Sequence, residues 1–321
     1  MQRKAQRKPI IVALLLVLTF IVALFVNPIP SHAGSSNQKI DVPISGTLVP
    51  QGICFVDNYV IFSAYDSDKK NNSVLWIKDT KNNNMVATVE LSTGGHVGGI
   101  CYDGKYLWIT GSANFVQYIR FADIAQQIKN GYIKFSLTSA DNNKNACVNI
   151  TIENGFLPTG TLRDASSITY YDGYLYVTEF DGSTSSNPNP KLTKLKVSYS
   201  SSKPNSLKIV DSYALPDRVQ GVQLYKKSKT TFAILSCSEG RKKGSLSCIR
   251  VYRLESLWGI LGKPIKVVDY SKKSEYLMLE GISIKGNYLY AISESAADTY
   301  KKDSPNPRSD VLQISLDNLF N

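Results

Sequence analysis

Apolar and polar positions in this chain alternate over short distances, and one pattern recurs five times. It reads "PQGICFVDNYVIFSAYD" from Pro50, "VGGICYDGKYLWITGSA" from Val97, "ASSITYYDGYLYVTEFD" from Ala165, "VQGVQLYKKSKTTFAILSCSE" from Val219 and "LEGISIKGNYLYAISES" from Leu279. Each copy has a small residue, a β-branched run, a turn, and a second run that ends near Ser or Thr. That is a β-hairpin, with Asp57-Asn58, Asp103-Gly104, Asp172-Gly173 and Gly286-Asn287 where a tight reversal needs them. The small residues Gly52, Gly99, Ser167, Gly221 and Gly281 stand 47, 68, 54 and 60 positions apart. This is the period of propeller blades with loops of unequal length.

Further strand-like segments follow the hairpins: "SVLWIKDT" and "MVATVELS" in the first unit, "KLTKLKVSYS" and "SLKIVDSYAL" in the third, "LSCIRVYRL" and "PIKVVDYS" in the fourth. Four strands per unit make a blade, so the fold class is all-β, a five-bladed β-propeller. The fifth unit runs short, with only "DVLQISL" after its hairpin, and residues 39–49, "KIDVPISGTLV", precede the first hairpin. An N-terminal strand of those residues would complete the last blade and remove the exposed edges. A sixth blade would need another hairpin within 115–160. That stretch instead carries "FADIAQQIKNG", whose Phe121, Ile124, Ala125 and Ile128 fall at helical spacing before a glycine stop.

Composition changes the picture at the N-terminus. "MQRKAQRKP" supplies cations, Ile10 to Val26 is unbroken apolar sequence, and "SHA" ahead of Gly34 supplies the small residues of a cleavage point. Residues 1–33 are expected to be a signal peptide rather than a retained anchor, and 34–321 a single propeller domain, secreted to the extracellular space. Removing Arg3, Lys4, Arg7 and Lys8, with no acid, takes the formal charge from +11 to +7. His96 is then the one histidine left, which excludes multi-histidine metal sites. The remaining cations lie scattered in loop-like segments such as "SDKKNN" and "GRKKGS", so no nucleic-acid footprint is expected. Membrane contact is expected only through the signal segment, and the chain is read as a monomer.

In an up-and-down blade the start of the first strand and the end of the second share one face. Gln51, His96, Asp164, Gln220 and Glu280 lead into the blades; Asp66, Asn114, Glu179, Asp181, Glu239 and Glu294 end second strands. The ligand-binding candidates are therefore His96, Gln51, Gln220, Glu280, Glu179, Glu239, Glu294 and Asp164. His96 lies among Gly94, Gly95, Gly98 and Gly99, which let backbone crowd the central opening or serve only the bend between blades. Carboxylates around one opening repel unless a cation, a ligand's hydroxyls or shifted pKa values relieve them. Oxygen ligands point to calcium, with Glu179 and Glu280 as its ligands. The alternative is local pairing with Arg163, Arg218 or Arg241.

Five cysteines in an exported chain invite a disulfide and leave one odd. Cys237 and Cys248 flank "SEGRKKGSLS" on adjacent strands and are the expected bridge. Cys54 and Cys101 share one slot in consecutive repeats and read as core positions, and Cys147 is unassigned. Asn71 and Asn149 head glycosylation sequons.

Four segments, "PQGICFVDNYVIFSAYD", "GGHVGGICYDGKYLWIT", "RVQGV" with "ILSCSEGRKKGSLSCIRVY", and "LEGISIKGNYLYAISES", together resemble secreted β-propeller proteins of Gram-positive bacteria of uncharacterised role. The resemblance spans about Val49 to Leu316 and implies a secreted propeller with a histidine-glycine-glycine lead-in loop. It brings no catalytic assignment. Two functions stand: a binding module that takes a glycan, cell-surface component or small molecule on its acidic axial face, and a cation-dependent extracellular hydrolase with His96 or Glu280 as general base, of lactonase, esterase or nucleotidase type.

Overall fold

The structure, a computed structural model, describes residues 39–111, 115–131, 133–136, 148–153, 165–182, 189–254, 262–272 and 275–321. Asp164, Cys147 and the expected signal peptide lie outside the described residues.

Five antiparallel blades form a ring. Blade one is β1 (Leu48–Val56), β2 (Tyr59–Asp66), β3 (Val74–Asp79) and β4 (Met85–Glu90) in sequential order. Blade two is β5 (Gly99–Tyr102), β6 (Tyr106–Gly111) and β7 (Phe115–Arg120), followed by helix α1 (Phe121–Lys129), β8 (Lys134–Ser136) and β9 (Val148–Glu153). Blade three is β10 (Ala165–Tyr171), β11 (Tyr174–Glu179), β12 (Lys191–Ser200) and β13 (Lys203–Ala214). Blade four is β14 (Val219–Lys227), β15 (Thr230–Glu239), β16 (Leu246–Arg253) and β17 (Lys266–Asp269). Blade five is β18 (Leu279–Lys285), β19 (Tyr288–Ser293) and β20 (Leu312–Ser315), and helix α2 (Leu316–Phe320) ends the chain.

The turns fall where the repeat placed them, with Asp57 and Asp172 in the left-handed region at φ 49° and 50°. Helix α1 also matches its pattern: Phe121 and Ile124 are buried, Ala125 and Ile128 packed against the same core. The two strands that follow it were not legible as a hairpin, because they do not pair with each other. Strand β8 adds in parallel to the outer edge of blade one, while β9 lies between the outer strands of blades two and three.

Alternation at period two divides each blade between two neighbours. Val60, Phe62 and Ala64 point toward blade five, where they meet Ile292 and Val311. Ile61, between them in sequence, points the other way, into a core with Ile100, Leu107 and Ile109 of blade two. Matching cores separate blades two and three around Trp108 and Val177, three and four around Leu192 and Leu235, and four and five around Ile249 and Leu289.

At the axis the inner strands touch backbone to backbone. A Cβ on Gly99 would lie 2.4 Å from the Ile168 nitrogen and 2.6 Å from Ser167 Cα. The small residue of the repeat is thus the packing contact of each inner strand with the next. Ring closure is more compact than an outer strand of residues 39–49. Asp41 bridges Asp310, the Val42 amide donates to the Ser309 carbonyl at 2.7 Å, and the Val311 amide donates to the Ile40 carbonyl at 2.8 Å. Leu48 and Val49 belong to β1 instead. Ile40, Val42 and Ile44 fill the core between blades five and one, so the same segment closes the ring by packing as well as by backbone pairing.

Candidate functional site

The first strands of four blades carry a β-bulge beside the small residue, and bulges re-aim side chains. Register slips between Pro50 and Gly52, Ala165 and Ser167, Val219 and Gly221, and Leu279 and Ile282. These slips hold Gln51, Ser166, Gln220 and Glu280. The equivalent position in blade two is Gly98, so His96 and Asp164 stand two residues ahead of the repeat's own site position.

Glu280, Gln220 and Glu294 open into a cavity of about 720 Å³ on the second-strand-end face. Its outer wall is the turn after β15, where Ser238, Glu239, Gly240, Arg241, Lys242 and Ser245 contribute. Phe180 and Met278 supply apolar surface, and Asp303 comes from the long connection after β19.

Glu280 is 4% exposed. Its backbone carbonyl accepts from the Ser236 hydroxyl at 2.5 Å, but among the described residues no donor reaches its carboxyl. Burial, and then the neighbouring Glu294 charge, push its pKa well above the usual carboxylate range. Glu294 is raised to about 7, with burial the cause and Arg241 and the Gln51 amide working against it. Gln51 donates to the Glu294 carboxylate at 3.0 Å and to the Pro50 carbonyl at 3.0 Å. The two carboxyls act on each other as a pair, and burial raises both.

An aromatic array lies beside them. Tyr65 and Tyr300 share a hydroxyl–hydroxyl hydrogen bond of 2.8 Å. The Arg241 guanidinium lies 3.8 Å from the Tyr300 ring centre, and the His96 ring stacks on Tyr65 at 3.7 Å and 23°. Tyr65 is raised by burial first, then by its bond to Tyr300 and the charges of Glu294 and Glu280. Although its side chain is exposed, His96 has its pKa lowered by desolvation and by Lys69.

The expected site residues therefore divide. Gln220, Glu239, Glu280 and Glu294 line the cavity, and Gln51 reaches it through Glu294. His96 does not line it and instead joins blades one and two through Tyr65. Glu239 pairs with Arg218, as the local-pairing alternative anticipates. Glu179, buried, accepts from the Lys191 amide at 3.1 Å and is not part of the cavity lining. Asp66 is committed to its own loop, accepting from the amides of Asp68, Lys70 and Asn71. The described residues hold no cluster of three or more His, Cys, Asp or Glu placed to bind a metal. Glu179 and Glu280, expected as calcium ligands, are not part of such a cluster among the described residues. Arg241, Tyr300 and Asp303 were not singled out as ligand candidates, because none occupies a repeated position.

Cys237 and Cys248 face each other in register, but as free thiols rather than the expected disulfide. Cys54 and Cys101 are buried free thiols in two different interblade cores.

No protein-family profile and no curated protein matches the chain. Among solved structures it is similar to a glutaminyl cyclase of Myxococcus xanthus, at 12% identity and TM-score 0.45, over 87% of this chain and 95% of that one. It is also similar to a GH32 β-fructofuranosidase of Bombyx mori, at 12% identity and TM-score 0.44, over 86% of this chain and 61% of that one. A xylan β-1,4-xylosidase of Bacillus halodurans gives 12% identity and TM-score 0.45, over 78% of this chain and 50% of that one.

Proposed function

We propose that this chain is an exported propeller that binds a hydroxyl-rich ligand, a glycan, in the cavity at the mouth of its ring. Glu280 carries the reading. It is a carboxyl on the cavity wall, in a nearly fully buried residue, whose pKa burial and the Glu294 charge push up and whose oxygens take no donor among the described residues. A carboxyl so largely withdrawn from water gains from each hydrogen bond made to it, about 1 kcal/mol or more, which a ligand hydroxyl placed there would supply. Around it, Gln220, Ser245, Arg241, Lys242 and Asp303 offer donors and acceptors in close succession, the lining that a polyhydroxyl compound fits. The volume falls in the ordinary range for small-ligand sites, roughly 300–1,000 Å³.

A second reading is favoured by the coupling of Glu280 to Glu294. Two carboxyls whose surroundings set their pKa values apart can act as acid and base. In that case Glu280 would donate a proton to a leaving group and Glu294 would accept one from water, with His96 outside the chemistry. A glycan array probed with the purified protein, in millimolar calcium and again in chelator, tests the binding reading. Retention of defined glycans in both conditions supports it. Failure to retain any glycan, together with turnover of lactone, phosphate-ester or nucleotide substrates, would replace it with the hydrolase.

A further inference from the structure

The ligand reading leaves the cysteine pair behind the cavity wall unused. Cys237 on β15 and Cys248 on β16 are opposed in register, and both are buried. Most of the segment between them lines the cavity, from Ser238 to Lys242 and again at Ser245, and includes Arg241, whose guanidinium lies over Tyr300. The tip of that wall, Gly240 to Gly244, is exposed and turns through glycines at φ 84° and 83°. Its anchorage is thin: within the turn, the Ser245 amide donates to the Lys242 carbonyl at 2.9 Å and the Lys242 amide to the Ser245 hydroxyl at 3.0 Å.

We propose that Cys237 and Cys248 are a redox staple, and that closing them into a disulfide fixes the cavity wall that carries Arg241. Opposed residues on neighbouring antiparallel strands bring their Cβ atoms to about 4.5–5.5 Å, a small adjustment away from disulfide spacing. The pair is also prepared chemically. The Cys237 thiol donates to the Cys248 sulfur, and that bond, with Arg250 nearby, lowers Cys248 to about 7 while Cys237 stays protonated. Thiolate is the attacking species in exchange. Where β15 and β16 open, as during refolding, the Cys248 thiolate attacks a small disulfide such as oxidised glutathione, forming a mixed disulfide and releasing one thiolate. Cys237 then loses its proton, attacks the Cys248 sulfur and releases the second. Two protein thiols are oxidised to one disulfide, and the oxidant is reduced to two thiols.

The order of the cysteines in the chain makes this testable without a ligand. Trypsin cutting after Arg241, Lys242 or Lys243 separates Cys248 from every other cysteine, all of which lie on the N-terminal side. The full chain is refolded with oxidised glutathione, nicked at that turn, alkylated and denatured. It should run at full length without reductant and as two fragments with dithiothreitol. Cys237→Ser should run as two fragments in both lanes. Mapping of the unmutated oxidised chain should show the two cysteine peptides joined, lighter than their sum by two hydrogen atoms, which does not depend on the variant folding. Nicking should also be several-fold slower in the oxidised chain than in the reduced one. Fragments that separate without reductant, a Cys237→Ser chain that stays joined, or equal nicking rates in the two states would overturn the proposal. Each of those outcomes leaves the glycan reading untouched.

Discussion

Gln51 and Glu294 stand 243 positions apart in the chain, and the amide of one donates to the carboxylate of the other at 3.0 Å. The contact crosses the seam where the first blade meets the last, so it exists only once the ring has closed. It also opposes the burial that raises Glu294. Gln51→Ala should cost about 1.5–3 kcal/mol, the worth of a hydrogen bond to a charged group, and move the Glu294 titration above 7. A thermal melt and a carboxyl-carbon NMR titration would check the two effects separately.

The carboxyl pair sets a pH dependence of stability. Both groups have folded pKa values above the usual 4.5, so the folded chain keeps protons that the unfolded chain releases. Stability should therefore be full below about pH 4.5 and fall as pH rises through about 7, where Glu294 ionises. Glu294 alone accounts for roughly 3 kcal/mol at most, at 1.36 per pH unit. Glu280→Gln removes one of the two raised carboxyls and should raise the melting temperature at pH 8 by about 2–4 °C for each kcal/mol recovered. At pH 4.5 the variant and the parent should melt together.

Closure by the N-terminal segment gives a third expectation. Deleting residues 39–44 leaves β1 whole but removes the bridge to Asp310 and the apolar side chains of Ile40, Val42 and Ile44. With Val42 nearly fully buried and the other two partly so, the loss should be about 3 kcal/mol or more. The melting temperature should drop by roughly 6–12 °C. A truncated chain that melts with the parent would place the closure elsewhere.

Two glycines separate axial packing from turn conformation. Gly99→Ala forces a Cβ against the backbone of Ile168 and Ser167, neither of which can yield without opening the ring. Gly104 has φ +98° and open space around it, so Gly104→Ala meets only the left-handed backbone penalty of roughly 1–2 kcal/mol. The first substitution should cost about 3 kcal/mol or more. Urea unfolding of the two variants should reproduce that order.

The ring was legible because its signal repeats: one small residue, one hairpin and one turn at blade spacing. That pattern located all five inner strands. The position just ahead of the small residue is the one that the bulge re-aims, and it holds Gln51, Gln220 and Glu280. His96 and Asp164 stand two residues ahead of that position in the sequence, and His96 stacks on Tyr65 outside the cavity lining. Tyr300 and Asp303 are not legible in the sequence as cavity residues, and Arg241 is legible only as a pairing partner, for a different reason. They sit in turns that each blade builds differently, and only the folded ring brings them beside Glu280 or Glu294. Strands β8 and β9 were missed because their partners lie in neighbouring blades, and a pairing that distant leaves no local pattern.

The central claim is that the Glu280 carboxyl hydrogen-bonds a ligand hydroxyl, and isothermal titration of an array-selected glycan tests it most directly. Glu280→Ala should weaken binding about tenfold or more, the equivalent of one hydrogen bond of roughly 1.4 kcal/mol. Glu280→Gln, which keeps a hydrogen-bonding group in place, should recover most of that affinity. Equal affinity in the parent and Glu280→Ala would contradict the account.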